Sequence, residues 1–211
     1  MPTETILNDY WRSSSAYRVR IALNLIGETY RADPINLLNA EHREPAYLTR
    51  NPQGLVPTLE IDGAVLTQSL AILEYLDETR RTGWLPENPI EKARVRALSY
   101  AIAMEIHPVC NLRVARYATS LSGTSMEDWM QHFILGGLKD FETMLELGPN
   151  GLYCHGNMIS LADICLVPQI YNARRWGVDL QTFPKTVGIS ARLEALDAFA
   201  AAHPDRVRPA G

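Results

Sequence analysis

Three consecutive hydroxyls, Ser13, Ser14 and Ser15, fall where a short apolar run around Ile6 and Leu7 gives way to Val19, Ala22, Leu23 and Ile26 at helical spacing. The first turn of a helix carries backbone N–H groups without helical partners, at the positive end of the dipole. Hydroxyls placed there add donors to a ready anion site. The same serines serve equally well as N-caps. The triplet alone leaves both readings open. A second source of nucleophilic chemistry is thin: Cys110, Cys154 and Cys165 form an odd set with neither metal-like spacing nor a Cys-x-x-Cys pair. They are expected to be reduced and buried.

Such a site needs a framework, and the chain of 211 residues, 46% hydrophobic, is long enough for one or two real cores. Gly and Pro interrupt the pattern over a linker at 83–89, separating residues 1–82 from 90–211. In the first part, short β-like runs (Thr5 to Leu7, Tyr30 to Ile35, Thr58 to Ile61, Val65 to Leu66) alternate with helices, and Asp62-Gly63 signals a tight hairpin. In the second part the periodic stretches Pro89 to Leu121, Met126 to Leu147, Ser160 to Trp176 and Lys185 to Ala202 all read as helical. The expectation is a small α/β domain followed by an all-α domain. Ser160 with Asp163 makes a capping box, a folding signal, while Pro168 must bend its helix or forgo a hydrogen bond. Twenty basic against 24 acidic residues give a net charge of −4, which offers no general attraction to nucleic acid. No apolar run approaches bilayer length and no leader-like segment opens the sequence, so a cytoplasmic protein is expected.

The string from Arg12 to Leu23, RSSSAYRVRIAL, resembles the signature of zeta-class glutathione transferases, the family of maleylacetoacetate and maleylpyruvate isomerases. Three further segments resemble the family in the same order: Asn51 to Leu59, Gln68 to Leu76 and Ser160 to Gln169. His107-Pro108 with Asn111-Leu112 points to the same branch. Two positions depart from the usual pattern, Ser15 standing where Cys is common and Tyr17 where Trp is.

The resemblance implies a thioredoxin-like first domain with a cis bond at Val56-Pro57, a homodimer, and glutathione as cofactor without a metal. It implies that Ser14 holds the glutathione sulfur with Ser13 and Ser15 in support. A helix start with hydroxyl donors lowers a thiol pKa from its free value of about 8.5. Val56 is expected to offer backbone hydrogen bonds to the cysteinyl unit, and Gln68 and Ser69 to take the γ-glutamyl carboxylate, although they too would serve as an N-cap. His42, where the family usually has Gln, is the candidate for the glycyl carboxylate. His107 and Asn111 are expected to contribute further to glutathione binding, and Arg12, His107, Arg113 and Arg175 to hold a keto-acid substrate. His107 and Asn111 share a face at i, i+4, whereas Arg113 joins them only if Pro108 distorts the helix. Periodicity does not separate Arg174 from Arg175, and the resemblance alone selects Arg175. The implied activity is glutathione-dependent cis–trans isomerisation of maleylacetoacetate, with maleylpyruvate as alternative substrate and general conjugation of electrophiles as alternative function. Ser15 in place of the usual Cys argues against chemistry through a protein thiol.

Overall fold

A computed structural model describes residues 4–209. Backbone contacts divide the chain into two units, one joining the residues up to Thr82 with the segment from Leu196 onward, the other running from Gly83 to Ala195. The first unit contains a four-stranded mixed sheet in the order β2-β1-β3-β4, built from β1 (Thr5–Asp9), β2 (Tyr30–Pro34), β3 (Thr58–Ile61) and β4 (Ala64–Thr67). β1 runs parallel to β2, with Leu7 opposite Ala32, and antiparallel to β3, with Leu7 opposite Leu59. The hairpin falls at Asp62-Gly63, and both residues have positive φ (53° and 79°), as a two-residue turn between twisted strands requires.

Helix α1 (Ser14–Leu25) packs against α3 (Ser69–Arg80) and against α10 (Asp197–Ala201). This leaves residues Ala16 to Leu23 buried all round, not on a single stripe. Arg18 and Arg20 are buried with them, each 1% exposed. Arg20 is accommodated because Asp9 accepts from its Nη1 at 2.7 and 2.6 Å, the Ala202 carbonyl from its Nε at 3.0 Å and the Trp11 carbonyl from its Nη2 at 2.9 Å. A buried cation needs this degree of satisfaction. Between β2 and β3 the expected helix shortens to a 3-10 turn at Glu41–Arg43 and a single turn, α2 (Pro45–Leu48).

The second unit is helical: α4 (Pro89–Tyr100), α5 (His107–Val109), α6 (Leu112–Ser122), α7 (Met126–Leu147), α8 (Leu161–Arg175) and α9 (Pro184–Glu194). The stretch from Pro89 to Leu121, read as continuous, is divided. Residues Ala101–Ile106 widen into a π-helical segment in which the His107 N–H reaches back to the Ile102 carbonyl. Pro108 has no N–H to donate, and the widened turn lets the chain pass it. The segment lies so close to α7 that a Cβ at Gly137 would stand 2.3 Å from Ile106 Cγ1. The predicted capping box forms at the start of α8: Asp163 accepts from the Ser160 N–H at 2.8 Å and from the Ser160 hydroxyl at 2.6 Å, and also from the Cys154 N–H at 2.9 Å.

The expected last helix, Lys185 to Ala202, breaks at Leu196, whose backbone is extended (φ −80°, ψ 137°). Residues beyond it group with the first unit, so the all-helical domain expected over 90–211 stops at Ala195. The physical reason lies on α1, where Arg20 and Asn24 donate to the carbonyls of Ala202 and Ala198. The short helix α11 (Pro204–Val207) completes this segment. No helix of the described residues is long and apolar enough to cross a membrane.

Candidate active site

The three serines enter three different situations at the start of α1. Ser13 is the N-cap, extended at φ −73° and ψ 121°, and its Oγ accepts from the Ala16 N–H at 3.3 Å. Ser14 is the first helical residue. Ser15 Oγ lies 3.2 Å from Ser13 Oγ and donates to the Val56 carbonyl at 3.2 Å. The hydroxyl motif and the Val56 backbone, 41 residues apart in sequence, are therefore neighbours.

Val56 precedes Pro57 through a cis bond and packs in a cluster with Tyr10 and Tyr47, covered by Trp11, Ile35 and Leu37. The loop leading to it is tied from within. Asn51, 2% exposed, donates to the Leu55 carbonyl at 2.7 Å and accepts from the Gln53 N–H at 3.0 Å, while the Tyr47 hydroxyl donates to the same Leu55 carbonyl at 2.7 Å. Gly54 has φ +58°, and a Cβ there would fall 2.7 Å from Arg43 Nη1 and 2.8 Å from the His42 carbonyl oxygen. Only glycine lets the loop lie this close to the turn that carries His42.

His42 sits in the 3-10 turn with its Nδ1 buried and without a hydrogen-bond partner. Burial, and to a smaller extent the charge of Arg43, lowers its pKa and favours the neutral ring. Gln68 ends the approach to α3 with φ 67° and ψ 112°, a strained conformation for a residue with a Cβ. Its side chain does not cap the helix. Its Nε2 donates instead to Gln53 Oε1 at 2.7 Å. Ser69 opens α3, 6% exposed, and accepts from Arg18 Nη1 at 3.2 Å. Arg12, just ahead of the serines, lies over the Trp11 ring at 5.2 Å and contacts the Tyr10 hydroxyl at 3.5 Å.

The remaining candidates belong to the second unit. His107 begins α5, whereas Asn111 has left the helix (φ −63°, ψ 132°) and caps α6, its Oδ1 accepting from the Arg113 N–H at 3.0 Å. The i, i+4 face expected for His107 and Asn111 is thus interrupted, because Pro108 and the π-helical segment end one helix before the next starts. Arg113 lies in the first turn of α6 and is exposed. At the end of α8 the structure separates two arginines that periodicity could not: Arg174 pairs with Glu194 at 2.7 Å, and Arg175 rests over the Trp176 ring at 5.0 Å. The cysteines are buried, and burial pushes the Cys110 thiol up to about 12 and that of Cys154 well above its ordinary value. Neither Cys110 nor Cys154 is a ready thiolate.

Sequence reasoning passed over Arg18, Asn51 and Gln53. Each acts through a partner that is remote or on the backbone, and none has a local pattern that marks it; the one available signal was two arginines inside an otherwise apolar helix.

A family model described as glutathione S-transferase, N-terminal domain, matches residues 12–79. The chain is 58% identical to the maleylacetoacetate isomerase of Rhizobium meliloti, over 99% of this chain and 100% of that one. It is 42% identical to the maleylacetoacetate isomerase of Mus musculus, over 95% and 93%. Among solved structures, a holo maleyl pyruvate isomerase described as a bacterial glutathione S-transferase of the zeta class aligns with a TM-score of 0.93 at 37% identity, over 98% of this chain and all of that one. The maleylacetoacetate isomerase of Anaeromyxobacter dehalogenans, with glutathione bound in its active site, aligns with a TM-score of 0.89 at 40% identity over the whole of both chains.

Proposed function

Because the chain belongs to the zeta-class glutathione transferases, the family of maleylacetoacetate isomerase, we propose that it converts maleylacetoacetate to fumarylacetoacetate in tyrosine and phenylalanine breakdown, using glutathione. The observation that carries this reading is the 3.2 Å contact between Ser15 Oγ and the Val56 carbonyl, which sets hydroxyl donors beside a backbone edge suited to an extended peptide. Three features fit glutathione: the buried and orphaned Nδ1 of half-buried His42, the α3 start left uncapped by Gln68, and the serine-lined start of α1.

Bound glutathione supplies a thiolate that adds reversibly to the cis carbon–carbon double bond, so that rotation and elimination yield the trans product and return the cofactor. Ser14 donates a hydrogen bond from its hydroxyl to the sulfur, and the start of α1 holds the thiolate charge, with Ser13 and Ser15 fixing the turn. Val56 pairs with the cysteinyl backbone. Gln68, Ser69 and the first N–H groups of α3 take the γ-glutamyl carboxylate, and His42 the glycyl carboxylate. His107 and Asn111 add contacts to glutathione. Arg12, His107, Arg113 and Arg175 hold the carboxylates of the keto acid and stabilise negative charge that develops on its carbonyl oxygen. The pairing of Arg174 with Glu194 supports Arg175 as the arginine given to substrate. The family further supports a homodimer, and the absence of a membrane-spanning helix among the described residues accords with a cytoplasmic enzyme.

Maleylpyruvate is the second reading, favoured by the 0.93 TM-score against a maleyl pyruvate isomerase. Isomerisation of each keto acid by purified protein, with and without glutathione and beside a generic aromatic electrophile, decides between them. Rapid glutathione-dependent turnover of maleylacetoacetate with weak conjugation is expected. Preference for maleylpyruvate would reassign the substrate, and conjugation without isomerisation would overturn the isomerase reading in favour of a general transferase.

A further inference from the structure

The geometry points to Arg18 as a positioning residue for carboxylate recognition: buried in α1, it holds and polarises the Ser69 hydroxyl so that the proton faces the γ-glutamyl carboxylate. The inference rests on the proposed role of Ser69 and adds a residue outside it.

Arg18 and Ser69 are 51 residues apart, buried to 1% and 6% exposure, and joined by Nη1–H donation to Oγ at 3.2 Å. A guanidinium has donors and no acceptor, so Ser69 Oγ must be the acceptor in this contact and its one proton is directed elsewhere. A hydroxyl whose lone pair is engaged by a cation is a stronger donor on its other side, and more so away from water. The surroundings leave that donor a task. Gln68 turns its side chain to Gln53 and leaves the start of α3 without a side-chain cap. An anion there meets helix N–H groups, the Ser69 proton and, one side chain behind, a full positive charge. Arg18 also stands four residues after Ser14 on α1, one turn along the same face. A single rigid helix therefore sets the distance between the hydroxyl assigned to the sulfur and the charge behind the carboxylate anchor.

The test measures, by calorimetry on the full-length protein, the affinity for glutathione and for its analogue lacking the γ-glutamyl carboxylate, 4-aminobutanoyl-cysteinylglycine. Wild type is expected to prefer glutathione. Arg18→Gln, which keeps a donor and loses the charge, is expected to bind glutathione about tenfold more weakly and the analogue unchanged, the scale of one charge-assisted hydrogen bond. Arg18→Lys is expected to recover to within about threefold of wild type. In kinetics Arg18→Gln raises KM for glutathione and leaves kcat at saturating glutathione within about twofold, whereas a purely structural role would lower kcat as well. Equal losses for the two ligands, or no loss for either, would overturn the role of Arg18. A wild type that prefers glutathione while Arg18→Gln keeps that preference overturns Arg18 alone, and a wild type that binds no glutathione overturns the proposed function. If melting shows that Arg18→Gln has not folded, the cycle of Arg18→Lys with Ser69→Ala carries the test: non-additive effects on glutathione affinity are expected, and additive ones refute the coupling.

Discussion

Ser13, Ser14 and Ser15 are chemically identical, yet the fold gives them separate tasks. Ser13 spends its oxygen on the helix cap and Ser15 spends its proton on the Val56 carbonyl. With Ser14 as the serine that the proposed function gives to the sulfur, Ser14→Ala is expected to lower kcat/KM for isomerisation by about a hundredfold, the range for removing one donor to a developing or held anion, and Ser15→Ala by much less. Equal, small losses would remove Ser14 from the sulfur. His42 makes a separate claim, about pH. Its pKa is lowered in the free protein, mainly by burial, so neutral His42 adds stability above its unfolded value that is lost as pH falls toward the lowered folded value. A carboxylate beside the ring favours the imidazolium, and binding must then take up a proton. Affinity for S-methylglutathione, which has no thiol to titrate, is expected to rise about threefold as pH falls from about 7.5 to about 5.5, and His42→Gln to abolish the slope. A slope unchanged in His42→Gln would detach His42 from the ligand.

At the level of elements, legibility followed the range of the interactions. The hairpin at Asp62-Gly63 and the capping box at Ser160-Asp163 were readable because every participant lies within a few residues. The break between α4 and α6 was not, because it depends on how Pro108, the π-helical segment and the close approach of Gly137 fit together. The buried arginines of α1 escaped for a related reason: periodicity assigns arginine to the outside, and partners remote in sequence, among them Asp9, Ser69 and the carbonyls of Trp11 and Ala202, receive them in the interior. Within the candidate site, the serine motif could be read from the sequence, whereas the different hydrogen bonds of Ser13 and Ser15 could not. The capping box offers a direct check on the local part. Asp163, fully buried, accepts from two backbone N–H groups and one hydroxyl, so Asp163→Ala leaves several donors unsatisfied. The expected loss is about 3 kcal/mol in urea unfolding, with the midpoint lowered and the slope unchanged. A loss below about 1 kcal/mol would mean that water replaces the carboxylate.

Taken whole, the first unit is completed by the segment that follows Leu196. A sheet and two helices leave α1 with inward-facing polar groups and an open flank, and the segment after Leu196 supplies what is missing. Ala198 and Ala202 offer carbonyls to Asn24 and Arg20, His203 meets the Tyr17 ring edge-on at 6.2 Å, and Arg208 lies over Trp11 at 5.1 Å. Phe199 at the centre of α10 is fully buried. Since α10 packs directly on α1, stability contributed by residue 199 and order at the serine motif belong to the same unit. Phe199→Ala removes a whole ring from that contact and is expected to cost about 3–5 kcal/mol, a fall in Tm of about 10 °C for a chain of this size. Glutathione binds the folded first unit in the proposed function, so adding it should restore part of the lost Tm, in proportion to the logarithm of its concentration. Thermal melts of wild type and Phe199→Ala across a glutathione series measure both effects. A Tm lowered by less than about 2 °C would show that the returning segment is not part of the core, and a lowered Tm that glutathione leaves unmoved would separate α10 from the unit that carries the serine motif.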